Sequence, residues 1–217
     1  MKFGIIPVTP FQQNCSLLVC EQTGAAAIVD PGGDIDRILA AIDKIGARAE
    51  RIFLTHGHID HAGGTAEIAR RLKVPVEGPQ REDQFLLDQL PNQGRAYGFG
   101  ALEAFIPERW LEDGDTVSFG NVEMTVIHCP GHTPGHVAYF SAADRLAIVG
   151  DVLFAGSIGR TDLPRGDHAA LIHSITEKLW PLGEDITFIP GHGPLSTFAE
   201  ERASNPFVGD RALEAAP

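Results

Sequence analysis

The segment Thr55-His56-Gly57-His58-Ile59-Asp60-His61 sets three imidazoles and a carboxylate side by side, directly after the strand-like run Arg51-Ile52-Phe53-Leu54. Such a cluster has little packing value and suits the binding of a cation. Three more apolar runs also end in candidate ligands. Val126-Ile127 leads through His128-Cys129-Pro130-Gly131 into His132, Ala147-Ile148-Val149 through Gly150 into Asp151, and Phe188-Ile189 through Pro190-Gly191 into His192. In an extended segment His56 and His58 point to the same side and can chelate one ion, which His132 completes. Asp60 and His61 lie further along the turn and can face a second position together with His192. Asp151, with two oxygens to share, is the natural bridge. Either set leaves a position for water, as a catalytic metal site requires. Imidazole and carboxylate donors suit Zn²⁺ and also Fe or Mn. The expectation is therefore a hydrolase site holding two divalent ions, with zinc favoured.

The remaining histidines carry weaker signals. His128 and His136 flank His132 without a partner pattern of their own and are expected to be structural, with His136 a candidate for orienting a ligand. His168 and His173 fall on a helical stretch and read as surface or packing residues. Solvated loop histidines are the alternative for any single member of the main cluster, but not for the whole set.

These ligands must be positioned by the elements before them. Asn14 to Val19, Ala25 to Val29, Arg51 to Leu54, Val74 to Val76, Val122 to Val126, Val137 to Phe140, Leu146 to Val149 and Ile186 to Ile189 read as strands. Ile35, Ile38, Leu39, Ile42 and Ile45 recur at helical spacing, which predicts a helix over 34–45 with Asp34 as its N-cap. Further helices are expected over 64–72 and from about Asp167 to Trp180. Phe85, Leu86, Leu87 and Leu90 suggest a helix that Gly94, Gly98 and Gly100 break, within an otherwise unreadable stretch from Arg81 to Ile106 that is a candidate insertion beside a cleft. Helices interleaved with strands indicate an α/β layered class. Ser204 to Pro217 reads as a tail, weakly ordered at its very end.

A chain of 217 residues suffices for a single domain over 1–217. Its 43% hydrophobic and 21% charged residues are those of a soluble globular protein. A net charge of −12 argues against nucleic acid as a partner, because phosphate binding needs basic patches. It does not exclude a small anionic substrate, since bound divalent ions reverse the local sign. No run approaches the roughly 20 apolar residues that span a bilayer, and the N-terminus lacks an apolar export segment. Cys15, Cys20 and Cys129 are odd in number, without metal-finger spacing, and read as reduced thiols. The expectation is a cytoplasmic protein acting on a small molecule, with neither membrane nor nucleic acid as partner.

Five blocks in order, Asp30-Pro31-Gly32-Gly33, His56 to His61, Pro130-Gly131-His132-Thr133-Pro134-Gly135-His136, Gly150-Asp151 and Pro190-Gly191-His192-Gly193-Pro194, resemble the metallo-β-lactamase superfamily over nearly the whole chain. The resemblance implies an αββα sandwich of two mixed sheets flanked by helices, with the metals at one edge. It also implies that Asp30 fixes a turn or a ligand rather than binding metal itself. Within the superfamily the chain is most similar to glyoxalase II-like hydrolases of the short bacterial type. Little sequence follows His192, so the C-terminal helical domain that helps hold glutathione in the long form is not expected.

The resemblance implies hydrolysis of a thioester such as S-lactoylglutathione by a metal-bridging hydroxide, with Asp60 both binding metal and orienting the nucleophile. Arg160 then pairs either with a substrate carboxylate or with Asp162. Gly159-Arg160-Thr161-Asp162 also resembles persulfide dioxygenases of the same fold, which use a single iron. Ile158 stands where those enzymes often carry a Cys, which favours the hydrolase. A lactonase on the same scaffold is a further alternative, because fold alone does not decide function.

Overall fold

The computed structural model describes residues 1–215. Strands β1 (Lys2–Val8), β2 (Gln13–Val19), β3 (Ala25–Val29), β4 (Arg48–Phe53) and β5 (Val76–Glu77) form a five-stranded sheet in that order. Its β3-β4 and β4-β5 pairs are parallel and the others antiparallel. The later strands are β6 (Thr116–Phe119), β7 (Val122–His128), β8 (Val137–Ser141), β9 (Leu146–Gly150), β10 (Leu153–Phe154), β11 (Ser157–Ile158), β12 (Thr187–Pro190) and β13 (Ser196–Thr197). All but the small hairpin β10-β11 join a six-stranded sheet ordered β13-β12-β9-β8-β7-β6.

The two sheets pack face to face. Ala25, Ala27, Val29 and Phe53 of the first meet Val117, Met124, Val126, Tyr139 and Ile148 of the second in one buried cluster. The opposite pleat of each sheet is covered by helices. Ala26, Ile28 and Ile52 pack under α1 (Ile35–Ile45), α3 (Thr65–Leu72) and α4 (Gln84–Tyr97). Ala147, Val149 and Phe188 pack under α5 (His168–His173), which continues as a π-helical turn over Ser174–Leu179, and under α6 (Phe198–Ser204). Central strands buried on both faces read as unbroken apolar runs, as β3 and β9 do. The architecture is an αββα sandwich.

Strand direction places the chemistry. β3 and β4 run parallel, so Asp30 and the His56 loop leave the first sheet at one edge. β9 and β12 run parallel, and β7 and β9 are both antiparallel to β8. The loops carrying His132, Asp151 and His192 therefore leave the second sheet at a common edge.

Several elements differ from expectation. A short helix α2 (Ile59–Ala62) carries Asp60 and His61. Asp34 sits at the start of α1 but caps nothing. Its φ is 51° and its Oδ2 accepts from the Thr9 backbone N–H instead (2.8 Å). Gly94 does not break α4, which runs on to Tyr97 and stops at the left-handed Gly98. Strands β1, β6, β10, β11 and β13 were not apparent from pattern. Ser204 to Pro217 includes a terminal helix α7 (Asp210–Ala215), and the very end, 216–217, lies outside the described residues. Among the described residues no helix is long and apolar enough to cross a membrane.

One side-chain bond joins the two sheets beside the ligand loop. Tyr139, fully buried on β8, donates its hydroxyl to the carbonyl of Leu54 (2.6 Å). Tyr139→Phe strands that carbonyl and is expected to lower stability by about 1–2 kcal/mol. The check is a shift of the urea midpoint at constant m-value; an unchanged midpoint would contradict the role.

Candidate metal centre

Convergence of the loops produces two neighbouring clusters. His56 Nε2 lies 3.0 Å from His58 Nδ1, which lies 2.9 Å from His132 Nε2. Asp60, His61 and His192 form the second cluster, with His192 Nε2 3.1 Å from Asp60 Oδ2. Asp151 stands between them. Its Oδ1 is 3.3 Å from His61 Nε2, and its Oδ2 is 3.5 Å from His132 Nε2 and 3.7 Å from His192 Nε2. The structure thus brings together all seven residues of the expected ligand set.

The hydrogen bonds behind the rings identify which nitrogen of each is bare. A carbonyl only accepts, so His132 Nδ1–H donates to Arg160 O (2.8 Å) and His192 Nδ1–H donates to Phe11 O (3.1 Å). The Nε2 atoms of both rings then face the site. The Thr55 hydroxyl spends its one proton on Asp30 Oδ2 (2.6 Å) and so accepts from His56 Nδ1–H (3.0 Å), which leaves His56 Nε2 bare. Asp30 Oδ2 also takes the Nδ1–H of His61 (2.9 Å), and its Oδ1 takes the Thr55 backbone N–H (2.7 Å). Asp30 is fully engaged in this way and orients the rings of His56 and His61.

Within the first cluster the three nitrogens cannot all satisfy one another, since each neutral ring has one donor and one acceptor. In the second, His61 Nε2 and Asp151 Oδ1 are buried without a hydrogen-bond partner among the described residues. Orphaned polar atoms of this kind are rare in folded proteins, and a cation between them satisfies both. The donor set fits divalent metal ions.

Charge states follow from burial and neighbours. Burial, then repulsion from His61, drives His56 far below the usual histidine range. Burial and His132 bring His58 down to about 3. Both stay neutral, as ligands must. Burial opposes charge on Asp151 too, but His61 beside it holds the carboxyl well below the ordinary range. For His61 burial favours the neutral ring, yet Asp151 and Asp60 outweigh it and raise the pKa well above the usual value.

The other candidates are not members of the clusters. His136 Nε2 accepts the Asp151 backbone N–H (3.0 Å) and so places the bridging carboxylate. His128 donates to Pro134 O (2.8 Å) and is structural, while His168 and His173 are exposed. Arg160 contributes its carbonyl to His132, but its guanidinium is engaged by Asp162 through two bonds (2.7 and 2.8 Å) at the surface.

Three contributions escaped the sequence. Asn14 Nδ2 holds the His192 loop through Pro190 O and Gly193 O (3.0 and 2.9 Å). Phe11, half exposed and resting on Phe99, brings its carbonyl to the His192 ring at the second cluster. Asp83, in the stretch with no clear pattern, is fully buried behind the first cluster. An acidic residue opening the Phe85-Leu86-Leu87-Leu90 stripe was the only available signal for it.

Residues 8–192 match the family model described as the metallo-beta-lactamase superfamily. Hydroxyacylglutathione hydrolase GloC of Haemophilus influenzae is 42% identical over 98% of this chain and 100% of its own. The solved structure of BLEG-1 B3 metallo-beta-lactamase superposes with a TM-score of 0.88 at 34% identity, covering 95% of this chain and 99% of the other. TTHA1623 in a di-iron-bound form gives 0.84 at 35% identity, covering 94% and 99%.

Because His61 and His192 hold protons more tightly than usual in the metal-free chain, loading must displace them. Near pH 7 uptake of metal is expected to release about one proton or more per chain, and affinity is expected to fall on acidification. Calorimetric titration in two buffers of different ionisation enthalpy measures the release; none at pH 7 would contradict these charge states.

Proposed function

The chain belongs to the metallo-β-lactamase superfamily and is a metallo-hydrolase; on that premise we propose that it hydrolyses a small thioester such as S-lactoylglutathione, using two divalent ions, most simply zinc. The observation that carries this is the pair of clusters meeting at Asp151. The thioester follows from a relative named for that activity and 42% identical across its full length. Iron in both positions is the alternative that the di-iron form of TTHA1623 favours.

His56, His58 and His132 would hold the first ion, Asp60, His61 and His192 the second, and Asp151 both. When bound, the ions supply a water nucleophilic near neutral pH and polarise the thioester carbonyl. Asp60 would accept a hydrogen bond from the attacking water and so orient it toward the carbonyl carbon. The leaving thiolate has a parent pKa of about 8.5, so no strong general acid is required. Arg160 meets a substrate carboxylate by exchanging Asp162, a step made easy by the exposure of that pair. Phe11 and Phe154, the latter ring 6.4 Å from the His192 ring, offer apolar surface to the acyl group.

The test is thiol release from S-lactoylglutathione, with an oxygen electrode on the same metal-loaded sample. Release without oxygen uptake is expected, and His58→Ala should lose more than the roughly 10–100-fold that altering a ligand's supporting partner costs. Oxygen uptake on glutathione persulfide without thioester cleavage would overturn the reading. Arg160→Ala is expected to raise KM with little change in kcat; an unchanged KM would remove Arg160 from substrate binding.

A further inference from the structure

We propose that Asp83 is a positioning residue for the first cluster, tying the loop of His56 and His58 to the loop of His132 and so setting the spacing of their ring nitrogens. The inference rests on the reading of those rings as metal ligands.

Asp83 is fully buried and pairs with no cation among the described residues. It stands at the end of a short 3₁₀ turn (Arg81–Asp83) just before α4. Its carboxylate accepts three hydrogen bonds, all from the two ligand loops. Gly57 N–H, between His56 and His58, donates to Oδ2 (2.8 Å). The hydroxyl of Thr133, next to His132, donates to the same oxygen (2.8 Å). Gly135 N–H, one residue before His136, donates to Oδ1 (2.7 Å). A buried carboxylate is costly unless its oxygens are satisfied, and here satisfaction requires both loops at once.

Close packing at two glycines supports the same clamp independently. A Cβ on Gly57 would lie 2.8 Å from Leu86 Cβ and 3.1 Å from Asp83 O. One on Gly135 would lie 2.4 Å from Gln80 O and 2.6 Å from the Asp83 backbone nitrogen. Both loops are thus pressed onto the segment 80–86 with no room for a side chain. None of these contacts involves Asp60, His61 or His192. A positioning role therefore predicts an asymmetric effect, and a merely structural role does not.

Asp83→Asn offers one acceptor oxygen where two are needed, so an amide N–H must face a donor. Thr133→Val removes a single tie. The experiment strips the whole protein of metal, confirms folding by circular dichroism and thermal melting, and titrates Co²⁺ while following its visible absorption. The wild type is expected to bind two equivalents. In Asp83→Asn one equivalent should weaken about 10–100-fold, the cost typical of losing a ligand's supporting partner, while the other is kept. The weakened equivalent should be the one that His58→Ala loses, and Thr133→Val should weaken it to a smaller extent.

Folded Asp83→Asn that binds both equivalents like the wild type, or that weakens both equally, would overturn the proposal. Should Asp83→Asn fail to fold, Thr133→Val with both affinities unchanged would overturn it instead. A wild-type chain that takes up no cobalt would overturn the metal reading itself and the clamp with it.

Discussion

A neutral imidazole has a single bare nitrogen, and the whole site depends on aiming that atom at a common point. One buried carboxylate does this for two of the rings. Asp30 leaves β3 in the left-handed region (φ 53°) and turns both oxygens toward the start of the neighbouring loop. There it takes the N–H and hydroxyl of Thr55 and the Nδ1–H of His61. Through Thr55 it decides the tautomer of His56, and directly that of His61. The carbonyls of Arg160 and Phe11 do the same for His132 and His192. Partners that fix a ligand's tautomer matter to a metal site nearly as much as the ligands themselves.

Each orienting group comes from a different element, so the convergence of these side chains is a property of the folded sandwich rather than of any one segment. β3 and β4 must be parallel for Asp30 to reach Thr55, and the strand directions in the second sheet must agree for His132, Asp151 and His192 to meet them. Burial then acts on charge. It keeps His56 and His58 neutral, while the crowded carboxylates around His61 raise its affinity for a proton. Like the rest of the core, this edge is closely packed, and its glycines are points where one backbone runs against another.

Much of this was legible in the residues. Candidate metal ligands are chemically distinctive, and those proposed here follow short apolar runs, so His56, Asp151 and His192 pointed to converging loops and to the strands before them. The α/β layering was also visible, because β3 and β9 are buried on both faces and carry no polar interruption. What stayed hidden depends on long-range contacts. Asp83 looks like any acidic residue at a helix start; only the fold brings Gly57, Thr133 and Gly135 to it. Asp34 has the identity of an N-cap, but the β1-β2 turn supplies a better donor in Thr9 N–H. Gly94 carries a local helix penalty that tertiary packing overrides. Two-residue strands such as β10 and β13 are too short for any alternation to register.

The central claim is that two ions sit in two clusters joined by Asp151. The most direct measurement is anomalous scattering from crystals of the metal-reconstituted protein at the absorption edge of the loaded metal. Two peaks about 3.5–4 Å apart are expected. One should lie within ligand distance of His56, His58 and His132, the other of Asp60, His61 and His192, with Asp151 reaching both. A single peak, or none with the fold intact, would contradict the account.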